Sequence, residues 1–392
     1  MDDDIWRLPG PARLIAETVR EVNRGRHAAV VLPVVLGGDQ DFVAGLVGAL
    51  SSALWEANEH PQQVATECDD GGPLVWLAQA LNVADGPLST ARILDEPEAA
   101  GRTAVFDCTG LHPGHRREVS ATVTRLVTES RPRRAQDRPR VLLVCTRDAL
   151  PQLGDDHTDV TFEPLWWWGR LSRWDVAARI HPAVEARCAP GVLREVRLET
   201  LIEVCRWDLG LAVHLAECWD GDPGSLSALI AEATPSSAVR PPPAPLPRNS
   251  GRRPTGEVVR HWDAGTVDLW HDECVAAVRA LASGAEAVSH AVWAAQARVL
   301  LPWIETRRQS VAAHLLQSRG RAAVQAVLGD LSEVLEVGPL HVAVTQLVGR
   351  SRPPLRDAVH LLRQARNKLA HLQALTTGEQ RELVAAFARL TL

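Results

Sequence analysis

The stretch RNKLAH places an arginine, an asparagine and a histidine, Arg366, Asn367 and His371, within six residues. These types at this spacing suit acid–base chemistry beside an anion. Histidine, with a reference pKa of about 6.5, gives and takes a proton near neutrality. Arginine carries a permanent charge on a planar fork that fits phosphate or carboxylate oxygens. A plainer reading uses the same residues. Arg366 would pair with a carboxylate such as Asp330 or Glu333 at the edge of a core. His371 would be a cation at a helix C-terminus, favoured by the macrodipole.

The element that presents these residues is a helix. In PPLRDAVHLLRQARNKLAHL (353–372), Leu355, Val359, Leu362 and Leu369 form an apolar stripe behind two N-terminal prolines. Arg366 falls within that stripe. His371 lies five residues later and points about 140° away on an ideal helix, while Asn367 and His371 are i,i+4 neighbours. One straight helix cannot aim Arg366 and His371 at the same phosphate. Either the helix ends near Ala370 and frees His371, or the arginine of one chain meets the histidine of another.

Other helices surround it. Residues 284–317 place Val288, Val292, Ala295, Val299 and Trp303 at helical spacing, with Pro302 expected to kink or divide the run. A helix is expected over 322–336, and another over 376–390 with a capping box from Thr376 to Glu379. No strand is expected after the Pro-, Ser- and Arg-rich segment 234–256, which reads as an extended linker. The expected organisation is an α/β domain over 1–233, the linker, and an all-α domain over 257–392.

Before the linker, strand-like and helix-like runs alternate. AAVVLPVVLGG (28–38), TAVFDCTG (103–110) and RVLLVCTRD (140–148) read as buried parallel strands, with helices over 42–54 and 117–129. A helical subdomain follows over about 192–233. Trp166, Trp167 and Trp168 cannot all be buried on one face of one element. At least one is therefore expected at the surface or in a contact, either with a partner or between domains. Asp155, Asp156 and His157 read as a charged loop rather than a metal site.

Composition sets the limits. Among 392 residues, 46% are hydrophobic and 23% charged, as in a soluble globular protein. The formal net charge of −6 excludes general nucleic-acid binding by the whole chain, so any basic site is local. None of the 7 cysteines forms a C-x-x-C pair. With Cys108 and Cys145 in buried strands, the chain reads as cytoplasmic. No signal-peptide layout and no long apolar run is present, so no membrane segment is expected.

The order strand, Gly turn, helix, then a strand ending in Asp107 and a strand ending in Thr146-Arg147, resembles P-loop NTPases of the AAA+/STAND kind over roughly residues 10–233. That resemblance implies a parallel-sheet domain, with 192–233 as its helical lid. The P-loop itself is missing. The turn reads LGGDQDF, and Lys368 is the only lysine among 42 basic residues. Asp39 and Asp41 put negative charge where phosphates would sit. The resemblance therefore implies a degenerate, inactive NTPase scaffold, with no cofactor.

RNKLAH has the form R-N-x-x-x-H and resembles the HEPN superfamily, whose motif marks many metal-independent ribonucleases. The resemblance spans about 285–392 and is most specific at the motif. It implies a dimerising helical bundle, with Arg366 stabilising phosphate charge, His371 as acid/base and Asn367 orienting. No tyrosine follows the histidine, and the chain has none, so the tyrosine-modified HEPN subtype does not apply. Together the two resemblances imply an effector of a bacterial conflict or defence system: a homodimeric HEPN-type ribonuclease acting on RNA and gated by the NTPase-like domain through a regulatory protein partner. The alternative is a non-enzymatic adaptor in which both domains bind proteins.

Overall fold

The computed structural model describes residues 3–57, 59–65, 71–84, 86–153, 159–233, 242, 246, 251–281, 284–329, 335–348 and 350–390. The chain packs as two compact units, Met1–Asp175 with Val239–Ala277, and Val176–Ala238 with Val278–Leu392.

The first unit is an α/β layer structure. After α1 (Pro9–Asn23) come β1 (His27–Leu32), α2 (Val34–Gly37), α3 (Gln40–Glu56), β2 (Pro61–Gln63), α4 (Pro73–Ala80), α5 (Thr90–Asp95), β3 (Thr103–Asp107), α6 (Pro113–Ser130), β4 (Arg140–Thr146) and β5 (Phe162–Trp166). The five strands pair in parallel in the order β2-β3-β4-β1-β5. β1 and β4 are buried along their whole length, as expected of strands covered on both faces. β1 is shorter than its apolar run suggests. Pro33 has no N–H for the ladder, so the strand stops at Leu32 and the chain turns into α2, leaving Val34 and Val35 half exposed.

All three consecutive tryptophans are buried, so none stands at the surface, and the contact alternative is the one observed. They do not share a face. Trp166 and Trp168 pack against Trp262, with ring centroids 5.6 and 6.5 Å apart, while Trp167 packs on Phe42 at 5.2 Å and on Trp6. Alternation along an extended segment sends neighbours to opposite sides, and both sides are covered. The cover on one side comes from α11 (Val258–Asp263) and an antiparallel hairpin, β6 (Val267–Trp270) with β7 (Glu273–Ala276). This hairpin corrects the expectation of no strand after the Pro-rich segment. Its two-residue turn, His271-Asp272, has positive φ at both positions, as a type I′ turn requires, without the usual glycine.

The second unit is helical. It contains most of α7 (Arg173–Arg187), then α8 (Val192–Cys205), α9 (Leu209–Cys218), α10 (Pro223–Ala233), α12 (Gly284–Arg319), α13 (Arg321–Leu328), α14 (Val337–Leu347), α15 (Pro353–Ala370) and α16 (Thr377–Ala388). α12 is not divided at Pro302. Leu300 and Ile304 are buried on either side of the proline and hold one continuous helix. The packing also divides the chain differently from the sequence expectation. Val192 and Val196 of α8 belong to the same buried cluster as Leu300, Val359 and Leu362, and Arg298 of α12 pairs with Glu199 and Glu203 of α8. The helices expected to be a lid on the sheet domain are thus part of the helical bundle. Residues 239–277 lie in the sheet unit instead. Of the expected linker 234–256, only 242, 246 and 251–256 are described.

Candidate functional site

The RNKLAH residues occupy the C-terminal end of α15. The buried positions of this helix are Leu355, Ala358, Val359, Leu362, Ala365 and Leu369. Leu355, Leu362 and Leu369 stand seven apart, and Ala358 and Ala365 fill the intervening positions. A seam of this period drifts across the helix surface. By the last turn the core is met by Ala365 and Leu369, and Arg366 has moved outside it. Arg366 is exposed, which corrects its expected place within the apolar stripe. Asn367 and His371 are exposed as well. Among the described residues, none of the three side chains makes a hydrogen bond or ion pair. Asp330 and Glu333, the alternative partners for Arg366, lie outside the described residues, as do Asp155, Asp156 and His157.

The helix ends at Ala370, as one of the two geometric options requires, and His371 is its C-cap. The end is fixed by several bonds. The His371 amide donates to the carbonyls of Asn367 (3.1 Å) and Lys368 (3.0 Å). The Gln373 amide reaches back to Lys368 (2.9 Å), and the Leu372 amide to Leu369 (3.3 Å). This is a Schellman closure, with Leu372 rather than glycine in the left-handed region at φ 59°. A bulky side chain there is strained, and Leu372 is 64% exposed, so it gains no burial in return.

Neighbouring helices hold the closure. Trp293 of α12 donates its indole N–H to the Leu369 carbonyl (2.7 Å). Gln296, also on α12 and buried, donates to the Leu375 carbonyl (2.9 Å) and accepts from the Leu375 amide (2.6 Å). Thr376 and Glu379 form the expected capping box at the start of α16. Lys368 pairs with Glu379, and this bond, with help from Thr376, holds the Glu379 carboxyl below the usual range. The lone lysine therefore joins α15 to α16 and is not directed at the motif.

The segment leading to this end is rich in basic residues, of which Arg356 pairs with Asp357 and Lys368 with Glu379. Between 350 and 371 stand Arg350, Arg352, Arg356, Arg363, Arg366 and Lys368 against the single carboxylate Asp357. Arg352 contacts His314 (2.8 Å), and Arg363 reaches His341 (3.5 Å). The His341 and His360 rings lie 5.4 Å apart. Burial, then His360 and Arg363, lower the His341 pKa, which favours its neutral form. Sequence reading did not single out this strip. Local charge counting along 350–371 is the signal that finds it, because the whole-chain charge hides it.

In the first unit, parallel pairing brings the ends of β1, β3 and β4 to one edge of the sheet, where α/β folds commonly bind ligands. Here most of the polar groups are occupied internally, while the buried Asp263 Oδ1 has no partner among the described residues. The Asp39 carboxylate caps α3, accepting from the Phe42 amide at 3.0 Å. Asp107 accepts from the Thr109 amide (2.9 Å) and hydroxyl (2.7 Å). Thr146 donates to Asp148 (2.5 Å), which also pairs with Arg116 (3.0 Å). Gly37 packs so closely that a Cβ there would lie 2.7 Å from Thr146 Cγ2. Asp263 sits against the Val34 amide, and burial raises its pKa. The N-terminus of α3, where a phosphate would bind, thus carries a carboxylate of its own chain. Among the described residues, no three His, Cys, Asp or Glu side chains group as metal ligands, and no helix is long and apolar enough to cross a membrane.

No protein-family model, curated protein or solved structure matches this chain.

Proposed function

We propose that the helical unit is a metal-independent, HEPN-type ribonuclease effector with Arg366, Asn367 and His371 at its centre, gated by an NTPase-like unit that does not itself turn over nucleotide. The observation that carries this reading is the state of the three side chains. They are exposed and, among the described residues, without a partner, yet they stand on a helix end fixed by Trp293, Gln296 and the capping box.

The chemistry follows from the residue types. Cleavage through a 2′-hydroxyl needs a group to take a proton and return one to the leaving oxygen, and histidine suits that role. Charge grows on the phosphorus oxygens in the transition state, and the Arg366 fork is suited to bind it there. Asn367, one turn before His371, can orient the ring or the substrate. The basic strip along 350–371 would hold the phosphate backbone on its way to this point.

The His371 amide still bonds to the Asn367 carbonyl, so its Cα remains on the helix path. Arg366 and His371 therefore keep the divergent directions of an i,i+5 pair. This favours a cleft between two copies of the chain, each giving its arginine to the partner's histidine. The closed edge of the sheet, with carboxylates in place of a phosphate-binding loop, supports a regulatory role for the first unit.

Labelled RNA incubated with the full chain in EDTA tests the proposal. Cleavage by the wild type, lost in Arg366→Ala and in His371→Ala, is the expected result. Equal cleavage by all three proteins would defeat it, and no cleavage by any would favour the adaptor function.

A further inference from the structure

The second unit contains a cavity of about 360 Å³ that the ribonuclease reading does not use. Its wall starts with Arg187 in the last turn of α7, follows α8 with Arg194 and Arg197, and meets α16 at Arg381. The volume falls in the range of small-molecule sites. Among the described residues, four guanidinium groups line it, against the single carboxylate of Asp220.

These charges are not equally committed. Arg194 pairs with Glu185 at 3.2 Å. Asp220 accepts from the Asp222 amide (2.9 Å) and the Ser225 hydroxyl (3.3 Å). Arg197 is held in place: it donates to the Trp219 carbonyl and lies over the Trp219 ring, 5.6 Å from its centroid. Its buried Nε has no partner among the described residues. Arg187 and Arg381, from α7 and α16, make no hydrogen bond or ion pair among the described residues. The remaining wall is largely apolar, with Pro190, Val192, Val196, Pro223 and Val384.

We propose that this cavity binds a phosphate monoester with a small apolar body. The two uncommitted forks of Arg187 and Arg381 match a dianion that offers several acceptor oxygens. Arg197, anchored on Trp219, adds a third positive charge from the wall. The valines and prolines receive the ester group. The site shares no residue with the RNKLAH motif, so it stands or falls independently of the ribonuclease reading.

Calorimetric titration of the full chain with phenyl phosphate, inorganic phosphate and phenol tests this. Phenyl phosphate is expected to bind, inorganic phosphate about tenfold more weakly or worse, and phenol not measurably. Arg187→Gln combined with Arg381→Gln should weaken phenyl phosphate by at least about tenfold. The melting temperature should not move, since both side chains are exposed and have no partner among the described residues. Three results would overturn the proposal: no phenyl phosphate binding at millimolar concentration, wild-type affinity in the double variant, or inorganic phosphate binding as tightly as the ester.

Discussion

At the residue scale, the exposure of Arg366, Asn367 and His371 separates their chemistry from stability. Removing an exposed, unpartnered side chain should move the folding free energy by no more than about 0.5 kcal/mol. Removing an acid–base group or a transition-state cation should cost cleavage about 100-fold or more. Arg366→Ala and His371→Ala are therefore expected to melt like the wild type in urea while losing activity. Equal losses of stability and activity would assign both residues to the fold. Leu372 makes the opposite case. Its left-handed backbone costs about 1 kcal/mol that glycine avoids. Leu372→Gly should raise the urea midpoint accordingly, and a lower midpoint would show that the exposed leucine contributes more than its strain removes.

The sequence made the motif legible but not its setting. An ideal wheel put Arg366 inside the apolar stripe because Leu355, Val359, Leu362 and Leu369 were its only markers. The small residues Ala358 and Ala365 carry the buried seam around the helix and leave Arg366 outside it. Alanines are weak markers of burial, so that drift is invisible in a count of large apolar residues.

At the element scale, the α15–α16 connection is the part that fixes His371. Glu379 serves the capping box and the Lys368 pair at once. The ion pair is well exposed and contributes little, so the cap dominates. Glu379→Ala should cost about 1 kcal/mol, whereas Lys368→Met should cost less than about half of that and leave cleavage within a few-fold. A large activity loss in Lys368→Met would place the lysine in the reaction centre. The capping box was readable in TTGE because its signal is local. The Trp293 and Gln296 bonds were not, because they join positions more than 70 residues apart.

The sheet unit carries a pH signature at the β1–β4–α6 contact. His27 is buried, with Nδ1 accepting from the Val141 amide (3.1 Å) and Nε2 facing the Ser130 hydroxyl (3.1 Å). Burial, reinforced by Arg138 and Arg140, lowers its pKa to about 3. The native ring stays neutral while the unfolded one takes up a proton below about pH 6.5. The resulting stability is complete above that pH and declines as the pH falls toward 3, by about 1.4 kcal/mol per unit. Between pH 7.5 and 5 this amounts to about 2 kcal/mol. Asp268, raised to about 7 by burial, gives a slope of opposite sign between about pH 4 and 7. His27→Gln keeps that contribution, so the difference in pH dependence between variant and wild type isolates the histidine. Parallel curves for the two proteins would show that His27 is not the group responsible.

At the scale of the whole molecule, the α/β and all-α halves were readable from periodicity, because long apolar strands and amphipathic helices announce themselves. Their assignment to packed units was not. The Pro-rich segment is a compositional boundary, but packing depends on which apolar faces meet. Val192 and Val196 meet the C-terminal helices, and Trp262 meets Trp166 and Trp168. The hairpin at 267–276 was missed because His271-Asp272 lacks the glycine that usually marks such a turn. The tryptophan triplet was legible as a contact, but its partner Trp262, far along the chain, was not.

The measurement that tests the central claim most directly is RNA cleavage in EDTA by an equimolar mixture of Arg366→Ala and His371→Ala chains. In a symmetric dimer with shared clefts, random pairing makes half the dimers mixed, and each mixed dimer has one intact cleft of two. The mixture should then recover about a quarter of wild-type activity, although each variant alone is inactive. No recovery on mixing, or undiminished cleavage by either variant alone, would contradict the account.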